Sequence, residues 1–363
     1  MKIAIIMGTR PEIIKMSPVI RACQERGVNF ILVNTGQHYS YEMDEIFFND
    51  LQLPKPDYNL GVGSGTHACQ TGKIMCEVEK LLMVERPDCI LVLGDTNTTL
   101  GSSLAASKMH IKIGHVESGC RSYNRMMPEE INRIITDHIS DYLYVQSETV
   151  KDILLGEGIP EEQIFITGNT AVDSVYQNIE HARESSKILN LLDIVPGNYF
   201  LLTLHRQENV DDRNRFEKLL KGICAVSEKY KMPVIFPMHP RSKKMLDEYN
   251  IALPSGIMGI SPLSYLDFLM LESNARLILT DSGGIQYEAC VIKVPCVTLR
   301  DETEIPESVI VGANKVAGSD SENIMDSVDK MINKERNWEN PFGLGNSGML
   351  IVDNICLQFR DIR

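Results

Sequence analysis

Leu277-Ile278-Leu279-Thr280-Asp281-Ser282-Gly283-Gly284-Ile285-Gln286-Tyr287-Glu288-Ala289 decides the fold. An apolar run stops at Asp281-Ser282, two glycines follow, and a helical pattern begins at once. A strand that feeds straight into a helix through a tight turn is the repeating unit of a doubly wound parallel sheet. The glycines allow close backbone approach, and the free N–H groups of the first helical turn point outward. Such a turn suits a diphosphate, with Glu288 one turn along to accept hydrogen bonds from a ribose. By itself a Ser-Gly-Gly turn does not separate a ligand cradle from an ordinary strand–helix junction.

The same unit recurs along the chain. Short apolar, β-branched runs are expected as buried strands at Lys2–Met7, Phe30–Asn34, Cys89–Leu93, Ile113–Val116, Tyr142–Val145 and Gln163–Ile166. A second series follows at Tyr199–Leu204, Val234–Pro237, Gly256–Gly259, Leu277–Thr280, Cys296–Leu299 and Lys315–Ala317. Helical periodicity fills the intervals at Glu12–Arg26, Glu77–Val84, Thr99–Lys108, Glu130–Ser140, Ala171–Ala182 and Arg213–Lys229. Between the series lies Ala182–Asn198, polar and ending in Pro196-Gly197, read as the connection between two doubly wound domains. Two such sheets in one chain are expected to take a ligand where their strand C-termini face a common cleft.

Length and composition agree. With 363 residues the chain exceeds one ordinary domain and suffices for two cores. A formal net charge of −13 argues against a nucleic acid or an anionic membrane as partner, since either would need a basic excess. The nine cysteines form no C-x-x-C pair and read as reduced residues of a cytosolic protein. The N-terminal run IAIIM is too short for a signal segment, and no stretch reaches the length of a membrane span. The eight histidines show no metal-ligand spacing, so no metal site is expected.

Polar residues gather just after the strands, where open α/β sheets carry their chemistry. The first strand leads into Gly8-Thr9-Arg10-Pro11-Glu12, with Lys15 one helical turn further on. Gly8 permits a tight turn, and the two cations near a helix N-terminus suit a phosphate, although a solvated Arg on a plain turn would look the same. The segment is not G-x-G-x-x-G, so the fingerprint of a nicotinamide dinucleotide is absent. Asp95 follows one strand and Glu117 the next; they are either a general acid/base pair at one sheet edge, or a helix cap and a solvated loop acid. Glu129, Arg133 and Asp137 stand at successive i,i+4 positions and read by themselves as a salt-bridged helix face. In the second half, His205 and His239 follow neighbouring strands and each has an arginine close by, which points to anion binding.

Taken together, the blocks GTRPEIIKMSP (from Gly8), GDTNTTL (from Gly94), GHVESGCRS (from Gly114), MPEEINR (from Met127), IFITGNTAVD (from Ile164), HRQEN (from His205), LILTDSGGIQYEA (from Leu277) and LRDETE (from Leu299) resemble the non-hydrolysing UDP-N-acetylglucosamine 2-epimerase family. The resemblance implies a glycosyltransferase-B type α/β fold: two Rossmann-like domains facing a cleft, residues 1–170 and 171–346, with a C-terminal helix over 347–363 crossing back to the first. It implies interconversion of UDP-N-acetylglucosamine and UDP-N-acetylmannosamine for surface polysaccharide or glycan precursor synthesis, in a cytoplasmic homodimer without metal or redox cofactor. Asp95, Glu117, Glu129 and His205 would be catalytic. Arg10, Lys15, His239, Ser282, Gly283 and Gly284 would line the phosphate side, Glu288 would hold the ribose and Phe268 the uracil.

The chain also departs from the family's pattern. Ile305 stands where TERPE has its Arg, Gln207 interrupts an HRRE run, Leu344 replaces an Asp, and Gln37-His38-Tyr39-Ser40 replaces QHRQ. Because the last run belongs to a regulatory substrate site in some members, substrate activation is not expected here. Gly65-Thr66-His67, Gln70-Thr71-Gly72 and Arg121-Ser122-Tyr123-Asn124 also resemble the relative that acts on a UDP-diacetamido-uronic acid, whereas Asn169 favours the simpler sugar. A variant that hydrolyses the nucleotide sugar, a glycosyltransferase of the same fold and a non-catalytic nucleotide-sugar sensor are the remaining alternatives.

Overall fold

Strands buried on both faces by crossover helices must be apolar along their whole length, and the runs above meet that condition. In the computed structural model, which describes residues 1–37 and 47–360, Ile3 to Met7 and Cys89 to Val92 are fully buried. Parallel strands β1 (Lys2–Met7), β2 (Asn29–Asn34), β3 (Tyr58–Asn59), β4 (Cys89–Leu93), β5 (Lys112–Val116), β6 (Tyr142–Val145) and β7 (Ile164–Ile166) form one sheet in the order β3-β2-β1-β4-β5-β6-β7. A second parallel sheet has the order β10-β9-β8-β11-β12-β13, from β8 (Phe200–Thr203), β9 (Val234–Pro237), β10 (Ile257–Ile260), β11 (Leu277–Thr280), β12 (Cys296–Thr298) and β13 (Asn314–Val316). In each sheet the first strand of the series lies inside and the order reverses beside it, the switch point at which α/β sheets bind ligands.

Every strand read from the sequence is present, with ends displaced by no more than one residue. The addition is β3, whose two residues pair at the sheet edge with Val33 and Asn34 and are too few to show a period. The helix expected over Glu77–Val84 begins nearly three turns earlier, at His67. Thr71 and Gly72 are weak helix formers, but packing against the helix Asn97–Lys108 overrides that preference: an added Cβ at Gly101 would lie 3.0 Å from the Thr71 carbonyl oxygen.

The chain divides into two units, Met1–Tyr176 with the stretch from Phe342 onward, and Gln177–Pro341. The segment 182–198 is therefore not the connection: it lies within the second unit, carries the short helix Ile188–Leu191, and buries Ile188 against Tyr199 and Leu201. The division falls inside the helix Thr170–Ser185. Polarity and a Pro-Gly pair there mark a surface turn before β8, not a boundary.

The last helix, Ser347–Gln358, belongs to the first unit and packs on α1 (Arg10–Glu25). Its seat depends on two local devices. Pro18 lies inside α1 and cannot donate to the Ile14 carbonyl; the Ser17 hydroxyl donates to that oxygen instead, at 2.8 Å. The helices then meet so closely that a Cβ on Gly348 would sit 2.6 Å from the Pro18 carbonyl carbon. Arg26 closes the contact with two bonds to Asp353, at 2.7 and 2.8 Å, and the Gly348 N–H is held by Asp173 at 2.8 Å. Gly348→Leu should cost about 1–3 kcal/mol through overpacking, measured as a lower urea midpoint, and Gly348→Ala should lose less.

Candidate functional site

In the first unit β1, β4 and β5 are neighbours, with Leu93 opposite Val116, so the loops after them emerge at one edge. Glu117 leaves β5 with φ of 63°, a left-handed conformation that costs a residue with a Cβ about 1–2 kcal/mol. Strain of that kind is retained where side-chain direction matters. The Glu117 carboxylate receives the Lys15 ammonium at both oxygens, 2.6 and 2.9 Å away, and both side chains are 17% exposed. Burial lowers the Lys15 pKa, but Glu117 and, behind it, Asp95 outweigh this, and the net shift is upward. Lys15 therefore stays an ammonium across neutral pH.

Asp95 is not the cap of the following helix; Thr96 is, accepting from the Thr99 N–H at 3.2 Å. Asp95 is instead held by Arg133, at 2.6 and 3.0 Å, while Arg133 also bonds Glu130 at 2.9 Å. The salt-bridged face expected from Glu129, Arg133 and Asp137 does not form. Arg133 turns to Asp95 across the loops, and Asp137 turns inward to His115 at 2.7 Å and Arg121 at 2.7 Å. Glu129 stays half-buried in the first turn of Pro128–Ile139.

The Asp137 cluster, which sequence spacing did not reveal, fixes this edge. His115 and Asp137 are fully buried, and the remaining His115 nitrogen faces the Gly94 carbonyl oxygen at 2.8 Å. Asp137 also accepts from the Gly119 N–H at 3.2 Å. One carboxylate thus ties the residue before Asp95 to the loop after Glu117. Burial alone would raise the Asp137 pKa, but His115 and Arg121 hold it below the usual carboxylate range.

Glu12 does similar work for the first strand end. Its buried carboxyl accepts from the Gly8 N–H at 2.9 Å and from Thr96 at 2.7 Å, and burial raises its pKa. Gly8 is required by space: a Cβ there would fall 2.1 Å from the Thr98 hydroxyl and 2.2 Å from that of Thr35. Arg10 opens α1 with its guanidinium 4.7 Å from the Phe47 ring centre. Gln37 is turned to Thr98, whose N–H and hydroxyl it accepts at 3.0 and 2.7 Å. His38, Tyr39 and Ser40, part of the same expected departure, lie outside the described residues.

In the second unit β9, β8 and β11 are neighbours and bring His239, His205 and Ser282 to one edge. The two imidazole rings stand 5.2 Å apart. His239 caps the helix Pro240–Tyr249, accepting from the Arg241 N–H at 3.2 Å. The arginines beside the histidines are engaged by carboxylates: Arg241 by Asp211 and Arg206 by Glu304 at 3.2 Å. Asp281 is fully buried and accepts the backbone N–H groups of His205 and Arg206, at 3.0 and 2.9 Å, and the Asn209 amide at 3.1 Å. Burial draws the His205 pKa down against the opposing pull of Asp281, so the ring is uncharged at neutral pH.

Ser282 begins the helix Gly283–Val291 without capping it through its side chain. A Cβ on Gly284 would meet nothing nearer than the Ser282 hydroxyl at 3.8 Å, so the protein's own packing does not require glycine there. Glu288 is half-buried on the same helix, and Phe268 packs at the margin of the Tyr199–Leu201 core. Ile305, where the family pattern has an arginine, is fully buried.

Two doubly wound parallel sheets, each with its polar groups gathered at the switch-point edge, define an α/β protein of the glycosyltransferase-B type. A glycotransferase of kitacinnamycin shares that fold at a TM-score of 0.61 and 13% identity, over 98% of each chain. The chain belongs to the UDP-N-acetylglucosamine 2-epimerase family, whose model matches residues 21–356. The UDP-N-acetylglucosamine 2-epimerase of Methanocaldococcus jannaschii is 53% identical over 97% of this chain and 98% of its own. The crystal structure of that enzyme in complex with UDP-GlcNAc and UDP has a TM-score of 0.93, covering 98% of this chain and all of the other. The UDP-2,3-diacetamido-2,3-dideoxy-D-glucuronate 2-epimerase of Pseudomonas aeruginosa is 39% identical over 92% of this chain and 93% of its own.

Asp137→Asn should destabilise the protein by about 3–5 kcal/mol, because it removes the fully buried charge that His115 and Arg121 surround and leaves Arg121 to Glu157 at the cluster's margin. The folded-state pKa of Asp137 is depressed, so its contribution is present above the usual carboxylate range and is lost as pH falls through the folded value. Urea unfolding as a function of pH should therefore show wild type and Asp137→Asn converging in acid.

Proposed function

We propose that this chain interconverts UDP-N-acetylglucosamine and UDP-N-acetylmannosamine by inverting carbon 2. In the ground state carbon 2 has no adjacent carbonyl, and its hydrogen is not acidic. The nucleotide must therefore leave first. As the C1–O bond breaks, its electron pair departs with UDP, and positive charge at carbon 1 acidifies the neighbouring C–H. A carboxylate takes that proton, and the C–H electrons become the C1–C2 double bond of a 2-acetamidoglucal. Return of a proton to the opposite face of carbon 2, and of UDP to carbon 1, gives the other epimer.

Asp95, Glu117 and Glu129 supply the base and acid of this sequence. The N–H groups following Ser282, at Gly283 and Gly284, receive the diphosphate, with Arg10, Lys15, His205 and His239 on the phosphate side. Glu288 takes the ribose hydroxyls and Phe268 the uracil. The observation that carries the proposal is Glu117, a carboxylate held on strained backbone at a strand end by a half-buried lysine. Sequence identity of 53% to a UDP-N-acetylglucosamine 2-epimerase against 39% to the diacetamido-glucuronate enzyme supports the simpler sugar. We place the reaction in the cytoplasm, in keeping with nine free cysteines, and in a homodimer.

Incubation with UDP-N-acetylglucosamine in heavy water, followed by NMR, tests the chemistry. Deuterium is expected at carbon 2 of a mannose-configured, still UDP-linked product. A product without deuterium sinks elimination and re-addition, and release of free N-acetylmannosamine would indicate the hydrolysing reaction. Glu117→Gln should lose about 10²–10⁴-fold in exchange rate while binding UDP as before. Gly284→Ala should fold normally yet bind UDP at least about tenfold more weakly, read by calorimetry, because a methyl group would stand between the helix N–H groups and the phosphate.

A further inference from the structure

Glu272 lies on the helix Tyr265–Ser273, among residues that form the apolar layer behind the Gly283–Val291 helix. It is fully buried, and no donor of the described protein reaches either of its carboxyl oxygens. Among the described residues, the titratable groups that face it are Glu288, Tyr199 and Cys296, none of them a cation. The Tyr199 hydroxyl is already committed to the Leu271 carbonyl. What stands within hydrogen-bonding reach is the Glu288 carboxyl. Two ionised carboxylates have only acceptors to offer each other, and the fully buried Glu272 cannot shed the repulsion into water. A proton held between them turns that conflict into a hydrogen bond, as in other paired carboxyls.

We propose that Glu272 is a positioning residue: its neutral carboxyl donates to the Glu288 carboxylate and fixes it as an acceptor for the vicinal hydroxyls of a nucleoside diphosphate's ribose. The ligand half of this statement rests on the role given to Glu288 above. Burial, reinforced by the nearby Glu288 charge, raises the Glu272 pKa far above the usual carboxylate range, in the direction the geometry requires. Glu288 itself is half-buried on the Gly283–Val291 helix. A carboxylate with one oxygen held by an acid cannot rotate freely, and it presents its remaining lone pairs in a fixed direction. Such an acceptor distinguishes a ribose from a 2′-deoxyribose, because a missing hydroxyl leaves it unsatisfied.

Three variants and two readouts test the pair. Glu272→Gln keeps the shape and a donor, Glu272→Met fills the layer without a donor, and Glu288→Gln alters the acceptor. Infrared difference spectra between wild type and Glu272→Gln at neutral pH should contain the carbonyl stretch of a protonated carboxyl; its absence overturns the shared proton. Calorimetric titration with UDP and 2′-deoxy-UDP reads the positioning role. Glu272→Gln should keep the wild-type preference for UDP, and Glu272→Met should weaken UDP about tenfold with little change for 2′-deoxy-UDP. Unchanged preference in Glu272→Met overturns positioning. Unchanged preference in Glu288→Gln would instead remove the ribose role of Glu288, and the infrared band reports on the proton independently of that result.

Discussion

A carboxylate buried without water must be answered by protons, and each unit is organised around one such group. In the first it is Asp137, enclosed by His115, Arg121 and the Gly119 N–H. Replacing its lost hydration takes several donors at once, and those donors come from different chain segments. Satisfying the charge therefore draws the ends of β4 and β5 together, and with them the residues that carry Asp95 and Glu117.

Asp281 plays the corresponding part in the second unit. It collects the N–H groups of His205 and Arg206 after β8 and the amide of Asn209, which in turn donates to the Leu299 carbonyl beyond β12 at 2.8 Å. The loop carrying His205 is thus fixed from the same residue that starts the Ser282-Gly283-Gly284 turn. Strand-end loops gain little from the sheets' own hydrogen bonds, which stop where the strands stop. A buried aspartate extends that order by one turn into the region where ligands bind.

The carboxyl groups fall into two physical kinds. Asp137, Glu130 and Glu304 meet arginines or several donors, and their pKa values are lowered despite burial. Glu12 and Glu272 are buried without a cation, and theirs are raised. The first kind are fixed charges that hold loops and orient arginines. The second kind lean toward the neutral form, and Glu12 does so while still accepting from Gly8 and Thr96. Glu117, joined to a lysine on strained backbone at the edge, belongs to neither interior class.

The sequence by itself determined the two sheets, because a strand covered on both faces must be apolar at every position and a crossover helix must show its own period. Those are local requirements, legible at Lys2–Met7 or Leu277–Thr280 without knowing any neighbour. The polar residues after the strands were legible too, as was the family to which their motifs belong. Only the tertiary structure decided whom each polar side chain meets. Arg133 reaches Asp95 and Glu130 while Asp137 turns inward, although helical spacing allowed all of them another arrangement. Glu272 stands in no motif of the sequence, and the fold sets it in an apolar layer facing Glu288. Partner choice depends on distance and dielectric between segments remote in the chain, and these exist only once the chain has packed.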